Sequence, residues 1–455
     1  MFMRSRPSTK QRTSSVFSDR VGQTSLSSNP RSSRDEVASE PGMYNRYSES
    51  GSVKSTSSRG SLQVASVGYT DEFPVTTEVG AHLFKKLKKV GRGGVGTVYL
   101  AQLRDADPIR LYAIKEIDKQ DMLDRNKVKR VMTEREIFAT SNHPFIISMY
   151  ASFQTKDKLF FVMEYAAGGE FFKYLQRRAN KRLSEEGSRI YAAEVLLALE
   201  YLHQMGFVYR DLKPENVMMR QNGHIALTDF DLSKLAIAMK PRVVEKSQPL
   251  TARAKAIAKK TPRGLESLEI VSACPVLAGE SNSFVGTEEY IAPEIVKGDS
   301  QTVAVDFWSF GILIYEMICG TTPFKGKEQK DTFDKIVKGD LKFPDNVLIS
   351  KDAKSIIRGL LTKDPAKRLG THLGSVGIKN HNWFKGLNFA LIRNMDAPIR
   401  PDVPDPYDLS QYKPLKNDSF SPISDSGDQS GTSSPQRNSE FAAFDTVVDG
   451  IRTKY

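Results

Sequence analysis

The chain has 455 residues, a formal net charge of +12 and a hydrophobic fraction of 39%. That length exceeds one compact module, and that apolar fraction is low for a chain folded throughout, so one or two domains with unstructured tails are expected. Two cysteines, Cys274 and Cys319, exclude a disulfide framework and fit a reduced, intracellular protein.

Residues 1–78 are rich in Ser and Arg and poor in large aliphatics. Such a composition cannot bury enough surface to offset ordering entropy, so a disordered arm is expected. Neither a secretory leader nor a transit peptide is expected from MFMRSRPSTKQRTSS. From Ala81 the pattern changes. FKKLKKVGRGGVGTVYLAQL and RLYAIKEID alternate apolar and polar residues and predict strands. Residues 126–140 carry Val128, Val131, Met132, Ile137 and Phe138 at helical spacing. KLFFVMEYA predicts a buried strand, and residues 188–204 a buried helix. NVMM and HIALTD then predict two short strands split by the turn QNG. Residues 303–390 are mostly helical in period. Their greasiest run, GILIYEMICG, is too short to span a bilayer and carries Glu316.

Strands first and helices later predict an α+β chain of two lobes, the first β-rich and the second α-rich. Residues 236–280 lack clear periodicity and predict a long inserted loop, basic in its first part. Residues 401–438 predict an extended tail, followed by the aromatic cluster FAAFDTVV. The excess of cations favours anionic partners. Aromatics are not interleaved with the basic residues of the arm or the insertion, so a specific nucleic-acid partner is not expected.

The chemistry lies in a few short stretches. GRGGVGTV (residues 91–98) places glycines at 91, 93 and 96, which allow close approach to phosphates. A strand-like run follows rather than a helix, which argues for a hairpin over a nucleotide and against a dinucleotide turn. Lys115 sits inside a strand and needs a carboxylate if it points inward at an anion. Glu134 and Glu136 compete for that place, and only one of them can face in. VYRDLKPENV sets Asp211, Lys213 and Asn216 on one short loop. A carboxylate to position a hydroxyl, a cation to neutralise phosphate and an amide to bind a divalent ion suit phosphoryl transfer. LTDFDLSKL then brings two carboxylates, Asp229 and Asp231, around Phe230.

In this order, Gly91-x-Gly93-x-x-Gly96-x-Val98, Ala113-Ile114-Lys115, Tyr209-Arg210-Asp211, Asn216, Asp229-Phe230 and Ala292-Pro293-Glu294 resemble the protein-kinase signature over residues 84 to 384. TERE, SNHPFI, MEYAAGGEFF, GTEEYIAPE, DPAKRLG and a C-terminal Phe-x-x-Phe resemble the AGC group of Ser/Thr kinases. TDFDLS and a long insertion before SFVGTEEYIAPE resemble the plant phototropin-type kinases and the fungal flippase kinases.

The resemblance implies a bilobal kinase domain at 84–384, with N-lobe and hinge at 84–166, C-lobe at 167–384 and an AGC-type tail at 385–455. It implies ATP and Mg²⁺ as cofactors. ATP would be held by Gly91, Arg92, Gly93, Gly94, Val95, Gly96, Val98, Ala113, Lys115, Met163, Glu164 and Ala166, with Met163 gating the pocket behind. Lys115 would pair with Glu134, Asp211 would orient the substrate hydroxyl, Lys213 would contact the transferring phosphate, and Asn216 and Asp229 would hold Mg²⁺. Glu170, Glu215 and Glu316 match the group's readers of basic residues and imply Arg-x-x-Ser targets. Ser283 stands at the activation-loop phosphorylation position, where its phosphate would meet Arg210.

Phe441, Phe444 and Asp445 (441–445) match the hydrophobic motif, with Asp445 where relatives carry a phosphorylatable residue; they imply either a fixed negative charge that acts without phosphorylation or docking of an upstream activating kinase, and Thr446 remains phosphorylatable one residue later. Membrane proteins such as flippases are the implied substrates, and a monomer in the cytoplasm, peripheral at an anionic plasma membrane, is the implied setting. The competing function is a pseudokinase scaffold, which predicts a missing catalytic residue; none is missing. Asp231 replaces the usual Gly and is expected to narrow backbone freedom without abolishing chemistry.

Overall fold

A computed structural model describes residues 79–93, 95–237, 242–245, 268–271, 276–277, 288–413, 415, 417–420 and 439–448. The arm 1–78, Gly94, Cys274, Ser283 and most of the basic insertion lie outside the described residues. The first lobe is an antiparallel sheet of β1 (Phe84–Gly93), β2 (Gly96–Leu103), β3 (Leu111–Asp118), β4 (Met149–Gln154) and β5 (Lys158–Glu164), in the order β1-β2-β3-β5-β4. Two helices, α1 (Lys119–Asp124) and α2 (Val128–Thr140), lie between β3 and β4. The sheet buries both faces. One face joins the main core; the other closes over Phe84, Tyr112, Ile114, Phe153 and Phe160, capped by Phe420 from the tail.

The second lobe starts with β6 (Gly169–Glu170), α3 (Phe171–Arg177) and α4 (Glu185–Gln204). The last begins three residues before the expected helix, because the Ser184 hydroxyl accepts from Gly187 N at 3.1 Å and caps it. After β7 (Phe207–Val208) come β8 (Val217–Met219) and β9 (Ile225–Leu227), the hairpin expected around QNG. Further on are α5 (Pro293–Lys297), α6 (Ala304–Cys319), α7 (Gln329–Lys338), α8 (Lys351–Leu360) and α9 (Gly374–Lys379). Every residue of α6 except Glu316 is buried, as for a helix surrounded by others, and it packs on α4 and α8. No helix among the described residues is long and apolar enough to cross a membrane.

The inserted loop carries short strands that its lack of periodicity does not predict. Lys234–Ile237 pairs with β7 and with Val276–Leu277, and Arg242–Glu245 pairs antiparallel with Leu268–Val271. These runs are rich in Val, Ile and Leu but only two to four residues long, too short to show a period in the sequence. At the C-terminal end, Thr446–Val447 adds a sixth strand to the first sheet, antiparallel to β4 at Ser152 and Ala151.

Candidate active site

The loop after β7 is anchored from below. Asp306, wholly buried on α6, accepts Tyr209 N–H at 2.9 Å and Arg210 N–H at 2.7 Å. Arg210 has φ +70°, a left-handed conformation that costs a non-glycine residue energy and persists only when its surroundings impose it. Those two bonds impose it. The Tyr209 hydroxyl reaches the carbonyl of Thr228 at 2.6 Å, joining this loop to the segment carrying Asp229.

Within the loop, Asp211 Oδ2 accepts from Lys213 Nζ and from Asn216 Nδ2, both at 2.8 Å. Asp211 Oδ1 is buried and has no hydrogen-bond partner among the described residues. Burial raises the Asp211 pKa, and Lys213 and Asn216 work against that rise. Asn216 Nδ2 also donates to the Asp211 carbonyl at 3.0 Å. That commits its nitrogen and leaves the amide oxygen as the atom able to bind a cation.

Across the cleft, Lys115 on β3 donates to Glu134 Oε1 at 2.7 Å and lies 3.4 Å from Asp229 Oδ1. Glu134 faces in from α2 and is buried; Glu136 is exposed. The structure therefore settles the choice that spacing left open. Burial alone would lower the Lys115 pKa, but Glu134 and then Asp229 outweigh it and keep the ammonium charged. Asp229 is held below the usual carboxylate range, first by Lys115. Its φ is +60°, its carboxylate lines the cleft, and the next side chain, Phe230, packs into the core. Phe230 is fully buried, edge-on to Phe138 of α2 at 5.0 Å and to Tyr209 at 5.5 Å. The three rings form a continuous edge-to-face series that exists only with α2 in place.

Asp231 makes its ion contact with α2 rather than with Lys115. Its Oδ2 lies 3.9 Å from Arg130 of α2, and its Oδ1 is buried without a hydrogen-bond partner among the described residues.

Between the lobes lies a cavity of about 400 Å³. Gly91, Arg92, Gly93, Val98, Ala113, Lys115, Met163, Glu164 and Ala166 line it, with Glu134, Asn216 and Asp229 at one end. Its size and mixed apolar and charged walls suit a nucleotide. A side chain at Gly91 or Gly93 would meet nothing within 4 Å, so the backbone there is open. Gly96 has a different reason: a Cβ there would lie 2.5 Å from the Glu116 carbonyl on β3, so its hydrogen permits strand contact. Gly96 and the buried Val95 are outside the cavity lining. No group of three or more His, Cys, Asp or Glu placed to hold a metal ion by itself exists among the described residues. Asp229 with the Asn216 oxygen instead fits a hard divalent cation that takes its remaining ligands from phosphates and water.

The three acids expected to read substrate do not share one environment. Glu170 lines the nucleotide cavity and pairs with Lys173 at 2.9 Å. Glu215 lines both that cavity and a second cleft of about 430 Å³, which Glu316 also lines. The Tyr290 hydroxyl donates to Glu316, whose pKa burial raises. Glu289, not singled out from sequence, lines the same cleft and pairs with Lys325 at 2.7 Å.

The tail motif is docked. Phe441 and Phe444 are fully buried, and Phe444 packs on Phe161 at 5.1 Å. Ser152 Oγ donates to the Phe444 carbonyl at 2.5 Å and Gln154 Nε2 to the Phe441 carbonyl at 3.1 Å. Arg135 of α2 donates to the Thr446 hydroxyl. Asp445 is exposed.

Two further supports escaped sequence reasoning. Asp306 had one available signal, an acid in the first turn of the most apolar helix. Arg368, inside the quoted DPAKRLG, forms a buried two-pronged pair with Glu294 of Ala292-Pro293-Glu294, at 2.6 and 2.8 Å.

The protein kinase domain family matches residues 84–252 and 270–384. Among curated proteins, the chain is 46% identical over 376 residues to the serine/threonine-protein kinase nrc-2 of Neurospora crassa, covering 82% of this chain and 58% of that one. It is 47% identical over 339 residues to flippase kinase 1 of Saccharomyces cerevisiae (74% of this chain, 36% of that one). It is 45% identical over 331 residues to phototropin-2 of Oryza sativa (72% and 34%). The chain thus spans between about a third and three fifths of the length of these relatives. By family match and relatives together, the chain belongs to the protein kinase family, in its AGC branch.

Proposed function

We propose that the chain transfers the γ-phosphoryl group of Mg²⁺-ATP to serine or threonine hydroxyls of proteins that carry Arg upstream. Membership of the family implies ATP, a divalent metal and protein substrates. The observation that carries the reading is Asp211. One carboxylate oxygen is committed to Lys213 and Asn216, and the other is buried with no donor among the described residues. A buried acceptor left unpaired is costly, and a substrate hydroxyl would satisfy it. Asp211 Oδ1 would then align that hydroxyl and accept its proton as the oxygen attacks phosphorus. Lys213, beside it, would meet the transferring phosphoryl oxygens, and Lys115 the phosphates deeper in the cavity. Asp229 and the Asn216 oxygen would hold Mg²⁺, which when bound neutralises charge on the phosphates.

Regulation and setting belong to the same reading. Arg210, Arg130, Lys129 and Lys234 stand close enough together that, after burial, the three other cations lower the Lys234 pKa. A phosphate on Ser283 would relieve that repulsion and order the segment around it. The docked 441–447 segment offers an upstream kinase a fixed negative charge at Asp445. The basic insertion 236–280 would hold the chain at an anionic membrane surface, near transporter substrates of the kind named by flippase kinase 1. Co-sedimentation with anionic but not neutral vesicles checks this last point, and equal binding to both contradicts it. No observation favours a scaffold without activity, since no residue of the signature is missing.

The deciding assay uses Mg²⁺-ATP with an Arg-x-x-Ser peptide and the same peptide lacking Arg. Wild-type protein phosphorylated at Ser283 should turn over the first faster, and Asp211→Ala should lose about 10²–10⁴-fold. Replacing Glu215 and Glu316 by Gln should erase the preference between peptides. No turnover by phosphorylated wild type refutes the proposal.

A further inference from the structure

Arg220 lies in the turn between β8 and β9, outside the family signature. It is 6% exposed, and its guanidinium ties its own turn to two other pieces of chain. It grips Glu164 in a two-pronged pair, Nε to Oε1 and Nη2 to Oε2, the latter at 3.0 Å. Nη1 donates to the Pro144 carbonyl at 2.6 Å, and Nη2 approaches the Ile146 carbonyl at 3.5 Å. Glu164 Oε2 also lies 3.4 Å from Ser148 N.

The three pieces are the parts that must stay in register. Glu164 ends β5, where the chain crosses between lobes. Pro144 and Ile146 belong to the segment that follows α2, the helix carrying Glu134. Arg220 itself sits on the hairpin that leaves Asn216 and returns at Leu227, two residues before Asp229. Its backbone is fixed there by bonds from Arg220 N to the His224 carbonyl at 2.8 Å and from Gly223 N to the Arg220 carbonyl at 3.0 Å.

The wall at Glu164 is thin. Glu164 and Tyr165 line the nucleotide cavity on one side and, on the other, a cleft of about 530 Å³ bounded by Arg220, Asn222 and the tail residues Pro406 and Tyr407. A cleft supplies no packing atoms, so close packing cannot hold this backbone against displacement toward it. A bidentate guanidinium–carboxylate pair fixes both distance and plane.

We propose that Arg220 is a positioning residue for nucleotide binding, acting through Glu164 to hold the backbone that faces the adenine. The inference rests on the reading of the 400 Å³ cavity as the ATP site. Glu164 would meet the base through its backbone, so changing its carboxylate tests the strut without removing that contact.

The test compares the full chain, phosphorylated at Ser283, with Arg220→Gln, Arg220→Lys, Glu164→Gln and the Arg220→Gln/Glu164→Gln pair. Binding of a fluorescent ATP analogue and steady-state kinetics are read well below the lowest melting temperature. Arg220→Gln and Glu164→Gln should each raise the analogue's Kd and the KM for ATP about tenfold, with most of the effect in KM rather than kcat. The pair should be no worse than either alone, as expected for one shared interaction. Arg220→Lys should fall between, because an ammonium cannot form the fork. A residue that only stabilises the fold would lower the melting temperature and leave KM for ATP unmoved. That outcome overturns the proposal, as does additivity in the pair. If Arg220→Gln does not fold, Glu164→Gln decides alone by the same criterion. Wild type that binds no ATP analogue overturns the cavity reading and this inference together; wild type that binds, with unmoved variants, overturns the role of Arg220 alone.

Discussion

The loop 209–216 and helix α2 bring their acids to one cleft, but they are held in opposite ways. The loop is held through its backbone by Asp306, at the start of a helix whose residues are buried except for Glu316. Helix α2 is held largely by side chains that reach elsewhere: Glu134 to Lys115, Phe138 to Phe230, Arg130 toward Asp231 and Arg135 to Thr446. Backbone bonds to a wholly buried acid do not open without breaching the core. Ion pairs and ring contacts across a cleft can be broken one at a time. The half of the site that carries Asp211, Lys213 and Asn216 is therefore fixed, and the half that carries Glu134 against Lys115 is adjustable. Both the tail and Asp231 act on the adjustable half.

Substitutions that remove chemistry should ignore this division. Asp229→Ala, on the segment shared by both halves, should cost turnover at least as much as the ~10²–10⁴-fold typical of a lost catalytic group, with the melting temperature nearly kept. Retained turnover would break the comparison at its root. Phe444→Ala should act on one half only. It opens a cavity beside Phe161 and frees the tail strand from β4. Large-to-small changes of buried Phe cost about 3–5 kcal/mol where the site cannot collapse, enough to undock a short segment. Activity should fall by about tenfold or more and be partly restored by adding a peptide of residues 439–448, whereas Asp211→Ala should not respond to the peptide. The smallest effect belongs to Asp231→Gly. Its contact with Arg130 is long and partly exposed, worth about 1 kcal/mol or less, so kcat should change by less than about fivefold. The added backbone freedom should appear instead as a shift in inhibitor preference. Loss of all activity would give Asp231 a larger part than its 3.9 Å contact supports.

The fixed half was the more legible in sequence. Asp211, Lys213 and Asn216 are spaced within six residues, so one loop must carry them together whatever the rest of the fold does. What holds that loop was not legible: Asp306 comes about ninety residues later and is one acid among many. In the adjustable half, spacing could not choose between Glu134 and Glu136, because either can face β3 depending on the rotation of α2. The glycines show a similar limit. Gly91, Gly93 and Gly96 read alike in sequence, yet Gly91 and Gly93 line the cavity while Gly96 lets β2 meet β3. Asp231 was legible as a departure from the usual Gly, but its contact with Arg130 depends on packing between segments a hundred residues apart.

Hydrogen exchange, residue by residue, tests the division most directly. The full chain would be compared with a chain ending at residue 438, which lacks the docked tail. The account predicts faster exchange for amides of α2 near Glu134 and Phe138, with Tyr209 and Arg210 as protected as before, because their partner Asp306 is untouched. Equal loosening of both regions, or of Tyr209 and Arg210 alone, would contradict it.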